Sequence, residues 1–455
     1  MPNNYDGYVA MLNAIRNEAS TRYSNAIPSA DGTVENLKTI GALLTSNQAF
    51  ANEWLDALYN RIAITRVITM DGWRNPLREF KRKLEYGESY LEVAMHLAGI
   101  HERDYSYAKS HLFDINTPAV DSAIYHVNSE FFYPTSVLPA ELKKAFLSYE
   151  ALSSFVETII NNIYRTMEYD EYNAMLYVVA RAILSGAMTG VEIPAVSAAN
   201  AREIISKIKA VSNEMEFLNK KYTTGEMESY AAKSDQFLFM NSLFDATVDT
   251  SVLAVSFNMN MAEFMGVRRL FNTFADLDTD RLDVLFKNDP LYETLDAGDL
   301  AELGEIPAFL ISRDWFVCFD EYTEMFNNEN GMGPYRNYFL HCGRIYSYSN
   351  FQKAAYFVPG TQSVTSVTVS PSTAEMIKND VKTFKATVVT ANLADPRVVW
   401  SVPTEDEDKI QLDYIDGQTV SVRLLANLGA ATITLTATSV FDNTKTGTAT
   451  ISAPA

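Results

Sequence analysis

The chain has 455 residues, 47% hydrophobic, 21% charged and 12% aromatic, a balance that excludes a disordered or fibrous protein and leaves room for two or three globular domains. Its formal net charge is −20. Such a surface repels phosphate backbones over a Debye length of roughly 8 Å at physiological salt, which argues against tight, direct nucleic-acid binding.

In chain order, Met1-Pro2-Asn3-Asn4-Tyr5-Asp6-Gly7 carries neither the basic n-region nor the apolar h-region of an export signal. No stretch approaches the roughly 18 apolar residues of a membrane span, so synthesis in a cytoplasm with no membrane partner is expected. Arg66, Arg74, Arg78, Lys81, Arg82 and Lys83 then form a basic stretch opposed only by Asp71 and Glu79, and a polar, aromatic-spotted span continues to about residue 138. A long excursion without repeats is usually functional. Two readings stay open, a solvated helix face with a loop, or an arm whose basic end meets acidic surface on a neighbouring subunit.

From Pro139, apolar residues recur in steps of three and four at Leu142, Ala145, Tyr149, Leu152, Val156, Ile159, Ile163 and Met167, which predicts one long helix with a buried stripe. Ala174 to Leu184 is apolar nearly all round and is expected in the central core. Asn200 with Glu203 predicts a reciprocally capped helix carrying the stripe Ile204, Ile208, Val211, Met215 and Leu218. Strand-like runs follow at Phe237 to Met240, Ala308 to Ile311 and Ala354 to Val358, with helical segments expected near Val252 and from Trp315 to Phe326. The class is α+β.

At Ser363 the construction changes. Before it lie 50 of the 54 aromatic residues, both cysteines and all five histidines, whereas the tail is rich in Thr, Ser and Val. Ser363 to Val369, Phe384 to Val388, Ile410 to Tyr414, Val420 to Leu424 and Thr432 to Thr436 alternate with period two. Turn residues separate them at Ser370-Pro371-Ser372, Asp395-Pro396, Asp416-Gly417 and Asp442-Asn443, so the tail predicts short antiparallel strands closing a sandwich. With no cysteine, its core must come from inward rows including Val367, Val369, Trp400 and Ile433. The tail holds seven basic and ten acidic residues, which leaves about −17 on the first 362.

No chemistry-bearing motif stands out. GxxxxGK[ST], GxGxxG, GxSxG, CxxC and HExxH are absent, and His101-Glu102-Arg103-Asp104-Tyr105 fails at its fifth position. Gly331-Met332-Gly333-Pro334 suits a tight turn, His96 and His101 lack a third zinc ligand at suitable spacing, and Cys318 and Cys342 are expected as buried thiols of a reducing compartment. Catalytic residues, metal ligands and cofactors are therefore expected to be none.

Val364 to Pro371, Val398-Val399-Trp400-Ser401 and Gly429 to Thr434 resemble the bacterial immunoglobulin-like domain, group 2, over nearly the whole tail. Asp249 to Met259, Ile311-Ser312-Arg313-Asp314-Trp315-Phe316, Asn337 to His341 and Ile345 to Phe351 resemble the major head protein of small short-tailed bacteriophages of the Picovirinae, phi-29-like group. That resemblance implies a Hong Kong 97-type capsid subunit. It divides the chain into an N-terminal arm (1–65), an extended loop (66–138), a peripheral and axial core with a spine helix from Leu142 to Met167 (139–362), and the immunoglobulin-like domain (363–455). Arg74, Arg78, Lys81, Arg82 and Lys83 become candidate contacts between subunits. The implied partners are the chain itself in hexamers and pentamers, a scaffolding protein, a portal or connector, and double-stranded DNA enclosed without sequence-specific binding in the virion. On this reading the tail decorates the outside and its removal leaves assembly possible. A surface-binding protein using its immunoglobulin-like tail, and a hydrolase with a β-sandwich accessory domain, remain as alternatives.

Overall fold

The chain is described here from a computed structural model covering residues 6–64, 73–100, 117, 119–225, 227–249, 267–329, 335–429 and 431–454. The expected turn at 331–334, the helix near Val252, His101 and the basic Arg66 lie outside the described residues.

Four helices open the chain: α1 (Asp6–Glu18), α2 (Thr21–Ala26), α3 (Val34–Ser46) and α4 (Gln48–Ile64). Side-chain caps start two of them, with Tyr23 N donating to Ser20 Oγ and Asn36 N to Thr33 Oγ1. Leu37, Ile40 and Leu44, spaced for one helix face, are buried with Leu12, Ile15, Trp54 and Leu58. Gly41 lets α3 pass close to Phe146, since a Cβ there would lie 2.2 Å from that side chain. The helices of the segment expected as an arm bury their apolar stripes in one core with Val137, Leu142 and Phe146 of the same chain.

The single long helix expected from Pro139 is two. α5 (Pro139–Ala145) ends at Phe146, and Ser148, in extended backbone, accepts from Ala151 N to start the spine helix α6 (Tyr149–Leu184). Leu142, Ala145, Tyr149, Leu152 and Ile163 are buried as expected. The spine helix runs on through the apolar segment, where Ala174 to Ala180 are buried without exception.

Two sheets flank the spine. One has the order β1 (Lys81–Lys83), β9 (Phe316–Glu329), β10 (Arg336–Tyr348), β4 (Ser129–Val137), with β1 parallel to β9 and the rest antiparallel. The helix expected from Trp315 to Phe326 is therefore strand: its apolar spacing fits a helix, but a thirteen-residue ladder with β10 wins. β4, at the end of the span expected as an extended loop, pairs with β10 in this sheet. The second sheet has the order β5 (Thr189–Ile193), β11 (Ala354–Pro359), β8 (Ala308–Ser312), β6 (Gln236–Asn241), β7 (Val267–Phe271), and contains all three strand-like runs. Helix α7 (Ala201–Glu214) covers it through Ile204, Ile208, Val211 and Met215. The reciprocal cap at Asn200 does not form, since that side chain donates to Ala195 O at 2.9 Å, and Leu218 is exposed. Between the 83 and 129 ends of the first sheet stands a separate hairpin, β2 (Tyr90–Met95) paired with β3 (Val120–Tyr125).

The tail is two four-stranded sheets over one core. Their orders are β12 (Ser363–Ser370), β14 (Val381–Ala391), β17 (Thr419–Leu424), β16 (Ile410–Tyr414), and β13 (Thr373–Glu375), β19 (Thr446–Ser452), β18 (Thr432–Ser439), β15 (Val398–Ser401). Val367, Val369, Trp400 and Ile433 all lie inside. Ile433 is fully buried, so Ile433→Ala should cost about 2–5 kcal/mol. Denaturant unfolding followed by far-ultraviolet circular dichroism checks this, with an unchanged midpoint counting against the packing described.

Candidate functional site

The spine helix carries an acidic turn, Glu168-Tyr169-Asp170-Glu171, where its two apolar halves meet. Asp170 and Glu171 are buried, and buried carboxylates need partners. Four segments supply them. Asn75 N donates to Glu168 Oε2 at 2.9 Å and Arg78 Nη1 lies 3.4 Å from Glu168 Oε1. Lys81 Nζ lies 2.8 Å from both Glu171 Oε1 and Asp320 Oδ2. Arg281 grips Asp170 through Nε at 2.5 Å and Nη2 at 2.7 Å, and Tyr133 Oη donates to Asp170 Oδ2 at 2.7 Å.

At the centre sits Arg344, 1% exposed, with Nη1 2.6 Å from Glu171 Oε1 and Nε 3.2 Å from Asp320 Oδ1. Burial pushes its pKa down, but Tyr346, Glu171 and Asp320 outweigh that and hold the guanidinium well above its ordinary value. Burial and Asp170 push Tyr133 well above the usual phenol range.

The basic stretch therefore separates. Arg78 and Lys81 answer the acidic turn of their own chain, Arg82 pairs with Asp314 at 2.5 Å, and Arg74 and Lys83 are exposed. Cys318 and Cys342 are buried free thiols, and burial pushes Cys318 up to about 12 and raises Cys342. Among the described residues no cluster of three or more His, Cys, Asp or Glu is placed to hold a metal. Among them no helix is long and apolar enough to cross a membrane.

What the sequence reading missed is the hairpin's apolar face. Leu91, Val93, Met95, Val120 and Ile124 share one side of the β2–β3 ladder and are each at least half exposed. The opposite side is fastened to the body. Tyr90 packs on Phe319 with ring centroids 4.7 Å apart, Ser349 Oγ donates to Glu92 Oε1 at 2.8 Å, and burial raises the Glu92 pKa. His96 Nε2 lies 2.7 Å from Asp121 Oδ2 and its Nδ1 3.8 Å from Glu228 Oε2. The period-two run Leu91-Glu92-Val93-Ala94-Met95 is the signal that could have found this strand. A second aromatic surface lies on the open face of the first sheet, where Phe132 stacks on His341 at 5.2 Å, His341 meets Phe326 at 5.2 Å and Phe132 meets Phe339 at 5.8 Å.

Against known proteins, the sequence profile of the Phi29-like phage major capsid proteins matches residues 12–358. The chain belongs to that family. It is 28% identical over 398 residues to the major capsid protein of Bacillus phage PZA, covering 86% of this chain and 82% of the relative. With the major capsid protein of Streptococcus phage Cp-1 it shares 26% over 372 residues, 77% of this chain and 93% of that one. Among solved structures, the capsid of Staphylococcus phage Andhra aligns over 65% of this chain and 87% of that chain, at 12% identity and a TM-score of 0.48. Membership gives the chain a structural capsid role, self-assembly into a shell, and a place in the virion capsid.

Removing one partner of a buried pair leaves the other charge stranded, so Glu171→Leu should destabilise the family member by about 3–5 kcal/mol, whereas the exposed Lys83→Ala should stay within about 0.5 kcal/mol. Chemical unfolding of the three proteins side by side checks the contrast.

Lys353 gives a pH prediction. It is wholly buried and, among the described residues, donates only to neutral oxygens, Asn219 Oδ1 at 2.7 Å, Lys221 O at 3.0 Å and Asn219 O at 3.2 Å. Burial pushes its pKa from 10.5 down to about 8, partly offset by Glu214. Between those values the unfolded chain binds more protons, so this residue's contribution to stability rises with pH across the window. The melting temperature of the natural protein minus that of Lys353→Met should therefore increase from pH 7 to pH 9.5, and a flat difference would refute the assignment.

Proposed function

We propose that the chain is the shell-forming subunit of a Hong Kong 97-type phage head, and that copies meet through the apolar face of the β2–β3 hairpin. The observation that carries this is the hairpin itself. A two-stranded ladder is marginal in water, and this one turns a row of at least half-exposed apolar residues away from its own body. In a closed shell that row is covered by a neighbour, and the aromatic face built on Phe132, Phe326 and His341 offers apolar ground of matching kind.

Hexamers and pentamers of one chain supply the lattice, and a scaffolding protein and portal complete the head. The shell encloses double-stranded DNA without sequence-specific contact, and the −20 charge supports that reading. Arg74 and Lys83, both exposed, are basic residues that would meet acidic surface on another copy. The sandwich is an immunoglobulin-like group 2 domain on the outer surface. The subunit works by binding, not as an enzyme, and is made in the bacterial cytoplasm before entering the virion.

Placing charge on the hairpin tests the reading. Leu91→Asp with Val93→Asp should leave the far-ultraviolet spectrum unchanged, since both side chains point to solvent, yet reduce closed particles by at least about tenfold in negative-stain microscopy and light scattering. Normal particle yields from this folded double variant would remove the hairpin from the interface.

A further inference from the structure

The connection between body and tail is not that of a hung-on spacer. Only Gly360-Thr361-Gln362 separate β11 from β12, and Gln362 is buried. Its backbone N donates to Glu192 Oε1 at 2.7 Å, and its Nε2 donates to Tyr356 Oη at 3.0 Å and to Leu393 O at 2.9 Å. Tyr356 Oη itself donates to Leu393 O at 2.5 Å.

Leu393 is the key residue. It follows β14 of the sandwich in sequence, yet its side chain is buried in the body's central core with Ile183, Met188 and Tyr356, not in the core of the sandwich. To bring it there the chain puts two consecutive non-glycine residues in the left-handed region, Asn392 at φ 60° and Leu393 at φ 57°. Such a backbone persists only where the surroundings over-determine it. The surroundings do so: Asn392 Nδ2 donates to Pro359 O at 2.7 Å, which ties the corner to the end of β11. On the other side Gly186, at φ 76°, ends the spine helix so close to Asp395 that a Cβ would lie 2.2 Å from its Oδ1. Gly186 after α6 and Tyr356 and Pro359 of β11 thus hold one corner of the sandwich, and Glu192 of β5 holds Gln362, which donates to that corner.

We propose that the C-terminal sandwich is a structural clamp on the capsid core, its Asn392-Leu393 corner acting as a plug that completes the core and fixes the direction in which the sandwich stands. This goes beyond the shell-forming role and does not depend on which surface of the sandwich faces outward. It runs against the expectation that removing the tail leaves assembly possible, because removal would open the core around Tyr356.

The test uses the full chain. Leu393→Ser should lower the melting temperature of the body by about 5 °C or more in scanning calorimetry, although the substituted residue belongs to the tail's sequence. Limited proteolysis should cut the 360–362 connection at least about tenfold faster than in the natural protein, as the corner opens more often. If Leu393→Ser fails to fold, Leu393→Val gives the graded form and should shift both readouts in the same direction. A body transition and a cleavage rate that both stay unchanged in the folded variant would overturn the clamp and restore the spacer.

Discussion

The body depends on a buried charge pairing, Glu171 and Asp320 with Arg344 and Lys81, set where the spine helix changes from one apolar core to the other. Buried ion pairs add little net stability against a well-packed apolar alternative, because desolvation offsets much of the attraction. Their effect here is on geometry. Residues near 75–81, 281, 320 and 344 must all arrive at one turn of α6 for the charges to be answered. A one-residue slip of β10 against β9 would turn Arg344 to the open face and strand Glu171 in the core.

The same turn of the spine helix also anchors both ends of the hairpin. Its entering strand follows Lys81, fixed between Glu171 and Asp320, and its exit runs into β4, where Tyr133 donates to Asp170. Both roots are therefore tied to the same turn of the spine helix. The hairpin's inward face adds Tyr90 on Phe319 and Ser349 on Glu92, so the outward apolar row is carried on a stiff base.

Sequence patterns revealed elements whose burial follows a simple period. The tail strands alternate because each sheet has one inner and one outer face, and Val367, Trp400 and Ile433 fall inside accordingly. Ala174 to Leu184 is apolar nearly all round because the helix is covered there on every side from Ala174 to Ala180 and again at Ala182 and Ile183. The basic stretch was visible but its partner was not, since charge pattern alone does not tell whether the answering carboxylate belongs to the same chain. Trp315 to Phe326 misled for a different reason: apolar residues at 316–319, 322 and 325–326 satisfy a helical spacing, and only the distant β10 makes them a strand. At Asn200 a nearby carbonyl, Ala195 O, took the side chain that would have capped the helix. The hairpin's apolar row was legible in spacing, but exposure is a property of the fold and no local pattern gives it.

Charge and apolar surface then act at different distances. Copies carrying −20 each repel one another at long range, and at physiological salt that repulsion is screened within roughly 8 Å, about the length of a side chain. In the interface proposed above, association is therefore decided at contact, by whether the apolar row of Leu91, Val93 and Met95 meets a complementary surface. Mismatched encounters bring like charges together without apolar burial and separate again. A strongly acidic subunit with a few concentrated apolar faces is in this way biased toward one mode of contact, and a closed shell requires that every copy use the same few contacts.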